Sequence, residues 1–169
     1  MGRVPEAEPT APRGLLRRGM FWLASQRLGA WVAINVGNRV DPYLMKLSGG
    51  RLKLAFRFPT VLLTHTGAKS GKKRTTPLAY FTDRGNVVVI ASRGGDLKNP
   101  AWYHNVIANP EVELWANGSG GRYRAKEAKG NQRTRLWKLA TQFYPGYADY
   151  QERAGDRRIP VILCTPEDD

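Results

Sequence analysis

The strongest constraint on the fold is a rhythm of short apolar runs broken by turns too tight to hold a helix. Runs at 60–66, 74–82, 86–91, 111–116, 122–128 and 159–164 alternate or are wholly apolar, and each has the length of a strand. "TDRGN" at 82–86 reads as a hairpin turn and "NGSGG" at 117–121 as a second loop. Strands joined this closely pair antiparallel. A doubly wound parallel sheet needs a helix after each strand, and a dinucleotide fold needs a glycine-rich turn opening a long helix after its first strand; the chain has neither. The pattern predicts a mostly antiparallel barrel or strongly curved sheet with a few helices.

The helices are placed by their own signals. Asn99-Pro100 starts a short one, with Trp102, Tyr103 and Val106 on its packing side, and Asn109-Pro110 ends it. A longer one covers 131–143, where Leu136, Leu139, Ala140 and Phe143 recur at helical spacing and make one buried stripe. Before the strands, residues 15–36 read as an amphipathic helix bent near Gly29. It either packs on the domain or lies on an anionic bilayer surface, with Trp and Phe inserted and Arg outside. Asp41-Pro42 starts a further helix that Gly49-Gly50 stops. Residues 1–14, mostly Pro, Glu and Ala, read as flexible. The expected organisation is a flexible segment 1–14, a helical arm 15–58 and a barrel domain 59–166.

The formal charge of +13 attracts anions without choosing among nucleic acid, an acidic membrane surface and a phosphorylated or polycarboxylate small molecule. Cys164 is the only cysteine and His65 and His104 the only histidines, so neither a disulfide within the chain nor a metal site is expected. No apolar run reaches about 18 residues. The start of the chain lacks a signal peptide's order of regions. A cytoplasmic location follows as the expectation.

Three stretches offer places to hold something. In "LLTHTGAKSGKKRTTPLAYF", Lys69, Lys72, Lys73 and Arg74 crowd a glycine-punctuated turn whose amides can converge on an anion, with Ser70 and Thr75 adding hydroxyls. The plain alternative is a solvated hairpin tip. In "VVVIASRGGDLKNPAWYHN", a buried strand ends at Ala91, and Ser92, Arg93 and two glycines follow, a backbone that can approach a flat ligand. Here the plain reading is a turn, with Trp102 in the core and His104 an ordinary helix histidine. In "FYPGYADYQERAGDRRIPV", Tyr144, Tyr147 and Tyr150 recur every third residue, and either wall an apolar pocket or simply pack a helix end. No acid–histidine–nucleophile set appears. That favours chemistry carried by a cofactor.

Taken together, "LLTHTGAKSGKKRTTPLAYF", "VIASRGGDLKNPAWYHNVIANPEVEL" and "LWKLATQFYPGYADYQERAGDRRIPVILC" resemble the deazaflavin-dependent nitroreductase family, actinobacterial oxidoreductases of the split β-barrel type. The likeness runs from about Thr60 to Pro166. It implies a split β-barrel and coenzyme F420, a deazaflavin with a phosphate and an oligoglutamate tail; the alternatives are a related split barrel using FMN and a non-enzymatic protein that binds anions, nucleic acid or a lipid surface. It implies that Lys69, Ser70, Lys72 and Arg74 hold phosphate and tail, and that Pro77, Ala91, Ser92, Arg93, Trp102 and Asn105 surround the ribityl and ring parts. Ser92, Tyr144, Tyr147 and Tyr150 would face the acceptor: a quinone, an enone such as an unsaturated lactone, or a nitroaromatic. The expected partners are that acceptor and, for residues 15–36, the inner face of an anionic membrane, in a monomer or homodimer with no nucleic acid. Arg93 stands where some members have Lys, a planar fork in place of a point charge. His65 falls where small or hydroxyl residues are common.

Overall fold

The computed structural model describes residues 2–9 and 58–167. The expected helical arm, with its helices at 15–36 and from Asp41, lies outside them apart from Phe58. The strands are β1 (Thr60–Thr66), β2 (Lys73–Asp83), β3 (Asn86–Ile90), β4 (Glu111–Ala116), β5 (Ser119–Glu127) and β6 (Val161–Pro166). The helices among them are α1 (Ala101–Ala108), α2 (Gly130–Phe143) and α3 (Gly146–Arg153). The six strands close a barrel in the order β1-β2-β3-β6-β5-β4, every neighbouring pair antiparallel. This is the barrel that the turns demanded.

Alternation along the strands divides the apolar residues between two cores. Val61, Leu63, Tyr80, Val87, Val89, Leu114, Tyr123 and Ile162 point into the barrel, and Trp102 and Val106 of α1 close over it. Phe81, Val88, Ile90, Val161 and Leu163 point outward and are covered by Leu136, Ala140 and Phe143 of α2 and by the three tyrosines. Leu62 lies on the opposite face of β1 from Val61 and Leu63, yet is only 2% exposed. A two-pronged pair at 2.7 Å on each arm, from Arg135 to Asp83, ties α2 to the end of β2.

Two strand starts differ from expectation by more than one residue. β5 starts at Ser119, because only Asn117 and Gly118, with φ of 49° and 84°, are needed to turn the chain. The glycines that read as loop belong to the strand: a Cβ on Gly120 would strike the Leu114 carbonyl and lie 2.8 Å from the Trp115 Cα. β6 starts at Val161, just after Pro160, which donates no ladder hydrogen bond.

The larger correction concerns residues 2–9, which composition marks as flexible. They form a strap across one end of the barrel, with Val4 and Ala7 at 6% and 8% exposure in the inner core. The strap's backbone meets polar atoms that the barrel buries. The Val4 N–H donates to the Tyr123 hydroxyl at 2.9 Å, the Tyr80 hydroxyl donates to the Pro5 carbonyl at 2.9 Å, and the Thr82 N–H donates to the Ala7 carbonyl at 2.8 Å. Val4→Asp would place an unpaired carboxylate against the barrel interior. It is expected to cost about 3 kcal/mol, read as a lowered Tm in thermal melts. An unchanged Tm would show that the strap contributes nothing to stability.

Candidate active site

Four segments meet at the end of the barrel where β1 and β3 finish: the β1–β2 loop, α1, the chain from Ala91 to Pro100, and α3. The β1–β2 loop is folded on itself, the Gly67 N–H donating to the Lys72 carbonyl and the Gly71 N–H to the Gly67 carbonyl, both at 2.9 Å. The N–H groups of Lys69 and Ser70 have no acceptor among the described residues. Lys69, Lys72 and Arg74 are exposed, and no described carboxylate lies within ion-pair distance of them. Lys73 differs: its Nζ closes on Glu113 Oε1 at 2.7 Å, on the outer wall of the barrel. The expected set of Lys69, Ser70, Lys72 and Arg74 is thus what remains available once Lys73 is paired.

Asn105 was expected to touch the ligand, but both ends of its side chain are occupied. Its Oδ1 accepts from the Ala68 N–H at 3.0 Å, and its Nδ2 donates to His65 Nδ1 at 3.3 Å. Its clearest work is to fasten the basic loop to α1. His65, 3% exposed, lies between Asn105 and the Thr76 hydroxyl, 3.2 Å from its Nε2. Nδ1 must accept from Asn105, so the proton sits on Nε2 and the ring is neutral. Burial first, and then the charge of Arg74, hold its pKa below the ordinary histidine value. As pH falls below about 6.5 the unfolded chain gains this proton first, so stability drops until the folded-state pKa is passed. The urea midpoint should therefore fall on going from about pH 7.5 to about pH 5, and His65→Gln should remove that part of the slope. The same slope in the variant would exclude His65 as its source.

β2 pairs with β1 from Lys73 to Ala79 but with β3 only from Tyr80 to Asp83, so among the described residues one edge of β2 has no strand partner before Tyr80. Pro77 is buried in that stretch, where a residue without an N–H is tolerated. Ala91, fully buried, leaves the end of β3, and Ser92 follows, partly exposed. Arg93, Gly94 and Gly95 then take φ of 49°, 65° and 83° in succession. For Arg93 this conformation is unfavourable and needs holding. Its guanidinium lies 3.4 Å from Asp96 Oδ2 and donates to the Asn99 carbonyl at 3.4 Å. The N–H groups of Ser92 and Arg93 have no acceptor among the described residues. Trp102, at 7% exposure, packs with the inner core, the plain reading of its position.

The tyrosines are buried together on the outer face of the sheet, at 6%, 6% and 7% exposure for Tyr144, Tyr147 and Tyr150. Their rings meet edge to face with centroids 5.1 to 6.1 Å apart, and Phe58 and Trp137 extend the cluster. The Tyr144 and Tyr150 hydroxyls bond each other at 3.2 Å. The Tyr147 hydroxyl has no partner among the described residues. Burial, then the neighbouring Tyr150, push the Tyr147 pKa well above the usual phenol value, so it is a neutral donor. Cys164, sealed in the barrel with its thiol pushed up to about 12, takes no part.

The sequence did not single out Arg157 or His65 for this site. The inward parity of His65 with Val61 and Leu63 was a usable signal for the second; nothing local marked the first.

A sequence profile of the F420H(2)-dependent quinone reductase family matches residues 39–166. An F420H(2)-dependent quinone reductase of Mycobacterium tuberculosis is 38% identical over 146 residues, covering 82% of this chain and 97% of that protein. A solved F420-H2 dependent reductase is 47% identical, covers 63% of this chain and 93% of its own, and superposes with a TM-score of 0.58. A second solved relative, described as a domain-swapped dimer, is 41% identical over 73% of this chain and 94% of its own, with a TM-score of 0.61.

Proposed function

The chain belongs to the F420H(2)-dependent quinone reductase family, and from that premise we propose how its residues divide the work of reducing a quinone. One observation carries the reading: Lys69, Lys72 and Arg74 stand without described carboxylate partners beside the open amides of Lys69 and Ser70. That donor set fits a phosphate and a polycarboxylate tail, and it fits a neutral ligand poorly. Among the described residues β2 has no strand partner on one side at Pro77, a bare stretch that suits a flat ring.

When bound, reduced coenzyme F420 supplies a hydride. The chain's own groups bind and orient. The basic loop neutralises the tail, Asn105 holds that loop in register, and the Ser92 and Arg93 amides offer hydrogen bonds to ring oxygens. Ser92 and Tyr147 donate to the acceptor oxygen on which negative charge grows, and the buried tyrosine rings exclude water. Enones and nitroaromatics present a similar oxygen and are proposed as further acceptors. A homodimer is also proposed, supported by the relative described as domain-swapped, and sedimentation velocity decides it.

The deciding experiment titrates the protein with F420 and FMN side by side, following ligand fluorescence, and then follows F420H2 oxidation with menadione. F420 should bind, weaken with added salt and be turned over; FMN should not compete. Binding of neither cofactor would overturn the reading.

A further inference from the structure

Arg157 lies beyond the end of α3, and its side chain reaches into the turn that carries Ser92 and Arg93. Its Nε donates to the Asp96 carbonyl at 2.8 Å, and its Nη2 to the Ser92 carbonyl at 2.8 Å. Its Nη1 donates to the Ala91 carbonyl at 3.2 Å and to Asn99 Oδ1 at 2.7 Å. Four of its five N–H groups are thus spent on acceptors that bracket the Arg93–Gly95 turn on both sides. The turn contains three consecutive residues of positive φ, one of them not glycine. Such a run persists only when its surroundings over-determine it.

The other end of Arg157 is fastened to the tyrosine helix. Gln151 of α3 donates from Nε2 to the Arg157 carbonyl at 2.8 Å and accepts from the Ile159 N–H at 2.9 Å. The Arg157 N–H bonds the Ala154 carbonyl at 3.1 Å. α3 also touches the turn directly: a Cβ on Gly95 would lie 2.7 Å from the Tyr150 carbonyl and 2.9 Å from Arg153 Cβ, so only glycine lets the two backbones meet. None of the four acceptors on Arg157 is a carboxylate. Had the side chain served only as a surface ion pair, its fork would not be distributed over main-chain oxygens.

We propose that Arg157 is a positioning residue, a clamp that sets the Ala91–Asn99 segment in its cofactor-binding shape and locks it to the helix bearing Tyr147 and Tyr150. It acts through the main chain of Ser92 and Arg93. The proposal rests on the function given above for that segment. Lysine keeps the charge but has no planar fork to span four acceptors.

The test compares wild type, Arg157→Lys and Arg157→Ala. Hydrogen exchange on the cofactor-free proteins should show faster exchange confined to residues 92–99 in both variants, with the β-strand amides unchanged. F420 affinity, read by ligand fluorescence, should fall by roughly tenfold or more in each. Millimolar guanidinium should restore part of that affinity to Arg157→Ala and none to Arg157→Lys. Unchanged exchange at 92–99, loss of protection across the barrel as well, or no guanidinium rescue would each overturn the clamp. If wild type itself binds no F420, the proposed function fails, while the exchange comparison still decides whether Arg157 holds the segment.

Discussion

Replacing Lys69, Lys72 and Arg74 together by alanine is expected to weaken F420 binding by on the order of 100-fold at moderate ionic strength, with the fold intact. Hydrogen bonds to charged groups are worth about 1.5–3 kcal/mol each when sheltered. These side chains are exposed, so solvent and salt reduce each to about 1 kcal/mol, and three together give roughly the stated factor. The dependence of affinity on salt should flatten in the triple variant, since the charges that attract the tail are gone. Lys73→Ala is the internal control. It removes the same charge at the first residue of β2, next to the loop, but that charge already meets Glu113 at 2.7 Å, so its effect should be several times smaller than that of any one of the three. Fluorescence titration at two salt concentrations reads all of this. Unaltered affinity in the triple variant would remove the basic loop from the cofactor site.

How far the sequence reached depends on the range of the interactions concerned. β1 and β4 were bounded by their own alternation, which is a local property, and they stand at Thr60–Thr66 and Glu111–Ala116 as expected. The start of β5 was misread because a glycine looks alike in a loop and in a strand; only the approach of Leu114 and Trp115 shows that Gly120 belongs to the ladder. The residues proposed for the site are those that charge or aromatic type announced, as with Lys69, Lys72 and the three tyrosines. Arg157 stayed hidden because its acceptors lie 58 to 66 residues earlier in the chain, and one arginine in "DRRIPV" is indistinguishable from its neighbour by type. The strap was missed for the same reason: Val4 finds its partner 119 residues away, and a short Pro- and Glu-rich segment has no pattern of its own.

The tyrosines pose a question that type and spacing left open, namely which of the three hydroxyls serves the acceptor. Tyr144 and Tyr150 bond each other at 3.2 Å, so one of their two hydroxyl protons is already committed. Tyr147 has nothing to give up, because its hydroxyl lacks a partner among the described residues. Tyr147→Phe is therefore expected to leave Tm and F420 affinity close to wild type while lowering kcat for menadione by roughly 100-fold, the worth of about 3 kcal/mol from one donor aimed at developing charge. Tyr144→Phe should behave in the opposite way, losing about 1 kcal/mol of stability with the Tyr150 bond and little turnover. Because burial raises the Tyr147 pKa far above neutrality, its donor proton stays in place across the working range, and kcat should show no alkaline limb from this residue below about pH 9. Wild-type turnover in Tyr147→Phe would take this hydroxyl out of the chemistry and leave Ser92 as the alternative donor, since its side chain makes no hydrogen bond to a described residue.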